Sequence, residues 1–185
     1  MVAILGITFP IYGAIGIGYW LVRAGWFSAA DMGLLGKFVL NIAMPALLFR
    51  ALATRDFAQV FQQGYVLAYL GGGLATITVA YLWFALKRLD PARRALAVMG
   101  SSCPNSGFVG YPVMLLAFPD IAGIVLALNM LVENIVLIPI CLVLIDFAKG
   151  QTGAGLSARL GAILIGVLRR PMVIGLLAGL AVSVL

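Results

Sequence analysis

Long apolar runs separated by short polar connections dominate the pattern along this chain of 185 residues. A helix that crosses a bilayer needs about 20 apolar residues, and six segments approach or exceed that length. They are Val2–Val22, Met32–Ala53, Gly64–Leu86, Ala95–Phe118, Ile121–Ile145 and Pro171–Leu185. The pattern predicts an all-α, polytopic membrane protein, and a composition of 64% hydrophobic and 10% charged residues agrees.

The connections between these segments are predicted as turns, except for the last. The turns are Arg23–Asp31, Thr54–Gln63, Lys87–Arg94 and the Pro119-Asp120 corner. The last connection contains a glycine-rich linker, Lys149–Gly155, and a basic-flanked amphipathic stretch, Ser157–Arg170, which we expect in the membrane interface. Glycines within the segments, including Gly71–Gly73 and the Gly175/Gly179 pair, are expected to let helices approach closely.

The distribution of the 12 lysine and arginine residues predicts an orientation. Ten lie in the first, third and fifth connections, and only Arg50 and Arg55 belong to the second and fourth. The positive-inside rule places the odd connections in the cytoplasm and the N-terminus outside. Val2–Val22 lacks a basic start and a cleavage site, so we predict a retained span and not a signal peptide. Basic residues spread over loops indicate topology, and no nucleic-acid partner is expected.

The fourth segment contains the most informative motif, Pro104-Asn105-Ser106-Gly107, followed by Gly110-Tyr111-Pro112. Two prolines and two glycines do not fit one continuous helix. In hydrocarbon, broken backbone survives only where it is buried in protein or lines a wet cavity. The motif therefore predicts two half-helices that meet at mid-membrane at a transporter-type binding site. A proline kink that only helps packing is the alternative.

An exposed helix N-terminus at this break would carry partial positive charge and favour a carboxylate. Its amides are expected to be uncapped, with the side chains of Asn105 and Ser106 as further donors. In the second segment, Pro45 frees the carbonyl of Asn41, which predicts a second polar notch. Together the two features suggest two helices that face one cavity.

Glu133 is the only acidic residue well inside an apolar segment, and Asn129 lies four residues earlier on the same helix face. A carboxylate at that depth prefers to be protonated or paired. Because no lysine or arginine lies at matching depth in the spans, a proton or a bound cation is the expected partner. Glu133 and Asn129 are therefore candidates for coupling, and a neutral acid that locks two helices together is the alternative.

Enzymatic chemistry finds little support in the sequence. There is no histidine, which removes Ser-His and Cys-His catalysis and histidine metal sites. Cys103 and Cys141 both fall inside apolar segments, so no disulfide is expected. We expect no enzyme activity, no cofactor and no metal.

The motifs Asn41-x-x-x-Pro45-Ala-Leu-Leu-Phe49 and Pro104-Asn105-Ser106-Gly107-Phe108-Val109-Gly110-Tyr111-Pro112 resemble the auxin efflux carrier family. That family includes the plant PIN-FORMED proteins and bacterial carriers of organic anions. The resemblance implies two inverted repeats of five helices, each with a fourth helix broken at a proline crossover. It implies that Pro104 is the crossover proline and that Asn105 faces the substrate carboxylate. Its N-terminus-outside topology agrees with the charge count.

On this basis residues 1–147 form the first five-helix repeat, 148–170 a cytoplasmic linker, and 171–185 the first helix of a second, missing repeat. The last segment has only 15 residues, so a truncated chain that does not transport by itself is expected. The predicted function is a carrier of small organic anions in the cell membrane, of the bacterial inner-membrane type. Its site residues are Asn105, Pro104, Ser106, Gly107, Asn41 and Pro45.

A non-transporting membrane sensor or assembly subunit with the carrier fold is the alternative function. A carrier predicts a water-accessible cavity that reaches Asn105, whereas a structural subunit predicts a filled crossover. The expected partners are a small carboxylate anion and the lipid bilayer. The identity of the anion, proton coupling, the direction of transport and homodimer formation stay open.

Overall fold

The computed structural model describes residues 2–55, 62–149 and 156–184, apart from the side chains of 2–5, 7, 156, 157 and 159. Every regular element in these ranges is a helix, so the predicted all-α fold is confirmed. Residues 56–61 of the second connection, 150–155 of the predicted linker, and Leu185 lie outside the described residues.

Eight helices occupy the described ranges, and five of the six apolar segments each correspond to one of them. The helices are α1 (Val2–Arg23), α2 (Ala29–Ala53), α3 (Gln63–Leu86), α4 (Pro91–Ser102), α5 (106–117), α6 (Pro119–Ala148), α7 (Leu156–Leu168) and α8 (Pro171–Val184). The fourth apolar segment is divided between α4 and α5, as its prolines and glycines predict. The amphipathic stretch before the last segment forms α7.

Capping residues set the helix starts and correct two predicted boundaries. Asp90 Oδ1 accepts hydrogen bonds from Ala92 N at 3.0 Å and Arg93 N at 3.3 Å and so caps the start of α4. The helix therefore begins four residues before the predicted span, and it includes two arginines that the sequence assigned to the connection. The predicted Pro119-Asp120 corner lies one residue earlier, at Phe118. The N–H at the first position of a helix has no partner within the helix, so a proline there loses no hydrogen bond. Pro119 occupies this position and begins α6.

The predicted turn at Arg23–Asp31 is confirmed and occupies residues 24–28. Gly25 has a φ of 78°, a conformation that costs glycine little. Ser28 then caps α2, since its Oγ accepts from Asp31 N at 3.2 Å while Asp31 Oδ2 accepts from Ser28 N at 2.7 Å. This reciprocal capping box satisfies two amide groups that the helix itself cannot bond.

Three prolines each follow a single widened, π-helical turn. The turns Val39–Ala43, Ser106–Gly110 and Glu133–Leu137 come just before Pro45, Pro112 and Pro139. In each case the amide before the proline bonds to a carbonyl five residues back, for example Ile138 N to Glu133 O. The wider turn relieves the clash between a proline ring and the preceding turn, so α2 and α6 continue without a break.

Hydrogen bonds between distant helices fix how the helices run. Tyr65 and Tyr69 of α3 donate to Asn129 and Glu133 of α6, and both pairs are spaced by four residues, so these stretches run parallel. Arg55, just after α2, donates to the Asp120 carbonyl at the start of α6 at 2.7 Å. The end of α2 and the start of α6 therefore lie on the same side of the bundle, as alternating spans require.

Close helix approach at glycines is confirmed for three positions. A Cβ on Gly175 of α8 would lie 2.5 Å from Pro45 O, and one on Gly179 would lie 2.7 Å from Phe49 O, so α8 packs directly on the backbone of α2. A Cβ on Gly73 would meet Leu137 at 2.5 Å, but Gly71 and Gly72 meet no atom within 4 Å. Small residues allow the contact that van der Waals packing needs in a bilayer.

Two apolar clusters fill the interior on either side of α6. The first joins α2, α6 and α8 through Leu48, Leu52, Leu126 and Leu176 among others. The second joins α3, α4 and α6 through Ile77, Val98, Leu137 and Cys141 among others. Both cysteines are free thiols, and Cys103 packs beside the second cluster.

Length and composition identify the candidate membrane spans in the described ranges. Three unbroken helices qualify, Ala29–Ala53, Gln63–Leu86 and Pro119–Ala148. Leu160–Leu168 and Pro171–Val184 qualify only when taken together, across a bend of 69°, as a broken span or a re-entrant loop. The fourth predicted segment does not qualify as a single helix, because the break at Cys103–Asn105 divides it.

Gly175→Ala should destabilise the packing of α8 on α2. The new methyl group would meet backbone atoms that cannot move aside, which costs about 1–3 kcal/mol and outweighs the gain of about 1 kcal/mol in helix propensity. The melting temperature in detergent should fall. Gly166→Ala in α7 is the matched control, since nothing lies within 4 Å of its added Cβ. An equal rise in melting temperature for both variants would show that the α2–α8 contact is loose.

Candidate functional site

The predicted interruption of the fourth apolar segment is confirmed at Cys103–Asn105. Helix α4 ends at Ser102, and Cys103 is extended, with φ −98° and ψ 100°. Proline disfavours helical geometry in the residue that precedes it, so Pro104 explains why α4 stops before Cys103. Helix α5 begins at Ser106, so Gly107 belongs to the second half-helix and not to the gap.

Asn105 occupies the N-cap of α5, which corrects the prediction of an uncapped helix end. Its Oδ1 accepts a hydrogen bond from Phe108 N at 3.1 Å, and its carbonyl accepts from Val109 N and Gly110 N. Asparagine is among the strongest N-cap residues. The first amides of a helix have no acceptor within it, so the cap serves the amide of Phe108 and leaves those of Ser106 and Gly107 to other acceptors.

The carboxyl group of Glu133 joins three helices at the break. Glu133 is only 3% exposed. Its Oε1 accepts from Tyr69 of α3 at 2.6 Å and from Ser106 of α5 at 2.5 Å. The partners found are therefore hydroxyl groups, where the sequence suggested a proton or a cation. Glu133 thus links α3, α5 and α6, which agrees with the alternative from the sequence, an acid that locks helices together.

Asn129 lies one turn away and makes a separate contact. Its Oδ1 accepts from Tyr65 at 2.7 Å, and the rings of Tyr65 and Tyr69 stack with centroids 6.1 Å apart. The two tyrosines thus present their hydroxyl groups to two acceptors of α6 at matching helical spacing.

A cavity of about 370 Å³ lies against the break. Its lining combines apolar side chains with a few convergent polar groups, as in small-molecule sites. The lining residues are Leu40, Asn41, Met44, Pro104, Asn105, Ser106, Gly107, Phe108, Met130, Glu133, Asn134, Ile138, Arg170, Pro171 and Met172. The break, the wide turn of α2 and the bend between α7 and α8 therefore meet at one cavity.

The structure brings most of the predicted site residues to this cavity. Asn41, Pro104, Asn105, Ser106, Gly107 and Glu133 line it. Pro45 instead contacts α8 beneath Gly175, and Asn129 faces Tyr65. Asn41 also donates its side-chain amide to the Lys37 carbonyl at 2.8 Å, within its own helix.

Arg170 is a charged lining residue that the sequence did not suggest. It follows α7 at the bend and donates from Nη1 to Asn134 Oδ1 at a long 3.5 Å. A basic residue therefore lines the same cavity as Glu133, although it lies at a bend and not within a predicted span. The sequence counted Arg170 with the loop charges, and only its place in the lining of this cavity shows otherwise.

Comparisons with known proteins agree with this architecture. The family described as "Membrane transport protein" matches residues 3–155. A Rhizobium meliloti protein named "Putative malonate transporter" is 25% identical over 193 residues, covering 100% of this chain and 58% of the relative. "Uncharacterized transporter YfdV" of Escherichia coli is 27% identical over 168 residues, covering 85% of the chain and 52% of the relative.

A further relative, an "Uncharacterized transporter" of Methanothermobacter thermautotrophicus, is 32% identical over 99 residues, covering 52% of the chain and 32% of the relative. The chain thus spans about half the length of the Rhizobium meliloti and Escherichia coli relatives, 58% and 52%. The family match covers most of the chain and includes both motifs that the sequence singled out. The chain is therefore a multi-pass membrane protein of the membrane transport protein family, the auxin efflux carrier family.

Proposed function

We propose that this chain forms the first half of a secondary carrier for small organic anions, and that the anion binds in the cavity at the break. The cavity at Asn105, with a volume of about 370 Å³, carries the proposal. A non-transporting sensor or assembly subunit needs no space at a broken helix, and a filled break is what that alternative predicts. Cavities of this size accommodate small metabolites.

The break supplies the polar groups that an anion needs. The amides of Ser106 and Gly107 open a helix of 12 residues, and its N-terminal end carries partial positive charge. The cap at Asn105 leaves the Asn105 side-chain amide nitrogen as a further donor. These donors stabilise a carboxylate although the broken helix itself supplies no cationic side chain. The name of the Rhizobium meliloti relative, which specifies malonate, supports a carboxylate as the ligand.

Alternating access would follow from rocking one helix group against another around this fixed point. Glu133 is the candidate for coupling, because its carboxyl lines the cavity and also holds α3 to α5. The second repeat of an inverted-repeat carrier would supply the opposite half of the site. In this arrangement residues 1–147 form the first repeat, 148–170 the linker and 171–185 the start of the second.

The proposed location is the bacterial inner membrane, with the N-terminus outside. Ten of the 12 basic residues lie in odd connections, which supports that orientation. At the connection between α3 and α4, Lys87 lies 5.0 Å from the ring of Trp83 and Arg94 lies 4.8 Å from that of Tyr81. Basic residues beside aromatic rings are typical of a membrane–water interface.

Asn105→Cys should react with a hydrophilic, membrane-impermeant maleimide in proteoliposomes. The background chain carries Cys103→Ala and Cys141→Ala. Water reaches the cavity in a carrier, so labelling should be fast, and malonate should slow it. Leu74→Cys, an exposed apolar position midway along α3, is the control and should label slowly. Equal, slow labelling of both positions would favour the structural-subunit alternative.

Substitutions of Asn105 separate helix capping from anion recognition. Asparagine, aspartate and serine cap helices about equally well, so Asn105→Asp and Asn105→Ser should melt near the wild-type temperature. Asn105→Asp sets a negative charge against the anion and should weaken malonate binding by more than about tenfold. Asn105→Ser should weaken it less. Calorimetric titration of purified protein measures both effects. Wild-type affinity in Asn105→Asp would identify Asn105 as a cap alone.

Glu133→Gln tests proton coupling. Its Oε1 still accepts from Tyr69 and Ser106, so the fold should survive. A charged Glu133 repels an anion in the same cavity and a protonated one does not, so wild-type affinity for malonate should fall as pH rises. The variant should lack this fall when both proteins are titrated at pH values where small carboxylic acids stay ionised.

The other titratable groups that interact with Glu133 are Tyr65, Tyr69 and Cys103, and Arg170 lines the same cavity. They are unchanged in Glu133→Gln, so a pH dependence that arises from any of them would persist. The same slope in wild type and variant would restrict Glu133 to linking the helices.

A further inference from the structure

We infer that Arg170, at the bend between α7 and α8, is the cationic residue that binds the carboxylate of the ligand. This inference rests on the proposed function and adds to it a specificity residue from outside the broken helix. Arg170 lines the same cavity as Asn105 and Glu133, although it lies 65 residues along the chain from the break.

The contacts of Arg170 leave its guanidinium available for an anion. Among the described residues it has no carboxylate partner, and the ion pair found there joins Arg93 to Asp90. Its hydrogen bond goes to the neutral amide of Asn134 at 3.5 Å, which is too long to hold it strongly. The Asn134 amide nitrogen is in turn fixed on the Met130 carbonyl at 2.9 Å. Asn134 therefore orients Arg170 without neutralising it.

The charge balance of the cavity requires such a residue. Glu133 lines the cavity and, when ionised, repels an anionic ligand, whereas Arg170 offsets that repulsion. A planar guanidinium also matches a carboxylate with two parallel hydrogen bonds, which lysine cannot reproduce. Arg170 thus favours carboxylates over neutral molecules of the same size.

The backbone position of Arg170 is set by the packing of α8. Pro171 begins α8 directly after it, and α8 lies against the backbone of α2 at Gly175 and Gly179. Asn134 of α6 accepts one long hydrogen bond from the side chain of Arg170. A ligand carboxylate on Arg170 would therefore connect the bend to the broken helix across the cavity.

The test compares Arg170→Gln with Arg169→Gln, a neighbouring exposed arginine that does not line the cavity. Calorimetric titration of the purified chain with malonate gives the affinities, and glycerol is the neutral comparison. Arg170→Gln should lose about tenfold to a hundredfold in affinity for malonate, and Arg169→Gln should stay within about twofold, as expected for a screened surface charge. Arg170→Lys should fall between them, because it keeps the charge but not the paired geometry.

Asn134→Asp provides an independent variant. It places a carboxylate next to Arg170, which should occupy the guanidinium and weaken malonate binding, and the loss of the Asn134 donor to the Met130 carbonyl should lower the melting temperature. If Arg170→Gln melts below the assay temperature, Arg170→Lys and Asn134→Asp decide the question. Wild-type affinity in both would overturn the inference.

The outcomes separate this inference from the proposed function. Wild-type protein that binds malonate, together with an Arg170→Gln variant that binds equally well, would overturn the role of Arg170 and leave the cavity as the site. Equal losses in Arg169→Gln and Arg170→Gln would overturn it as well, because a general surface charge would explain them. Wild-type protein that binds no carboxylate would overturn both proposals.

Discussion

The hydrogen bonds of the buried Glu133 carboxyl group hold the centre of the structure together. Tyr69 from α3 and Ser106 from α5 both donate to one carboxyl oxygen of α6, so three helices meet at a side chain that is 3% exposed. A buried carboxyl without partners is costly in a membrane. The two hydroxyl groups offset that cost only when the helix break lies against α6. The packing of the break against α6 therefore depends on this interaction, whereas its place along the chain is set by Pro104.

Irregular backbone is concentrated around the same point. The residues that donate and accept, Ser106 and Glu133, each open a widened turn that precedes a proline. A third widened turn, in α2, places Asn41 at the cavity. Carbonyl groups freed by proline need partners in hydrocarbon, and a polar cavity supplies water or a ligand for them. The same prolines that disturb the helices thus explain why the disturbed turns gather at one place.

The packing of α8 on α2 determines which charges reach the cavity. Gly175 and Gly179 let the two helix backbones touch, and the 69° bend then directs Arg170 toward Asn134. The cavity consequently contains an acid and a base that do not neutralise each other. Such a site has a use for an anion with a carboxylate group, whereas a fully paired Glu133–Arg170 site would resist one. Helix packing far from the break in sequence thereby sets its electrostatics.

The sequence by itself determined the features that depend on local chemistry. Apolar length fixed the helices, proline and glycine fixed the interruption at Cys103–Asn105, and the Gly175/Gly179 spacing marked a close contact, since each follows from a few neighbouring residues. Asn41, Asn105, Ser106 and Glu133 were suggested as site residues because polar groups are rare in such segments.

Tertiary structure alone decided the partners. The bonds from Tyr69 and Ser106 to Glu133 join residues 64 and 27 positions apart, and no periodicity reports a contact at that separation. The capping role of Asn105 depends on the backbone geometry after Pro104. Arg170 was assigned to a loop because depth was judged along the chain, yet a bend returns it to the cavity. Such contacts depend on how whole helices pack, and that information is distributed over the entire chain.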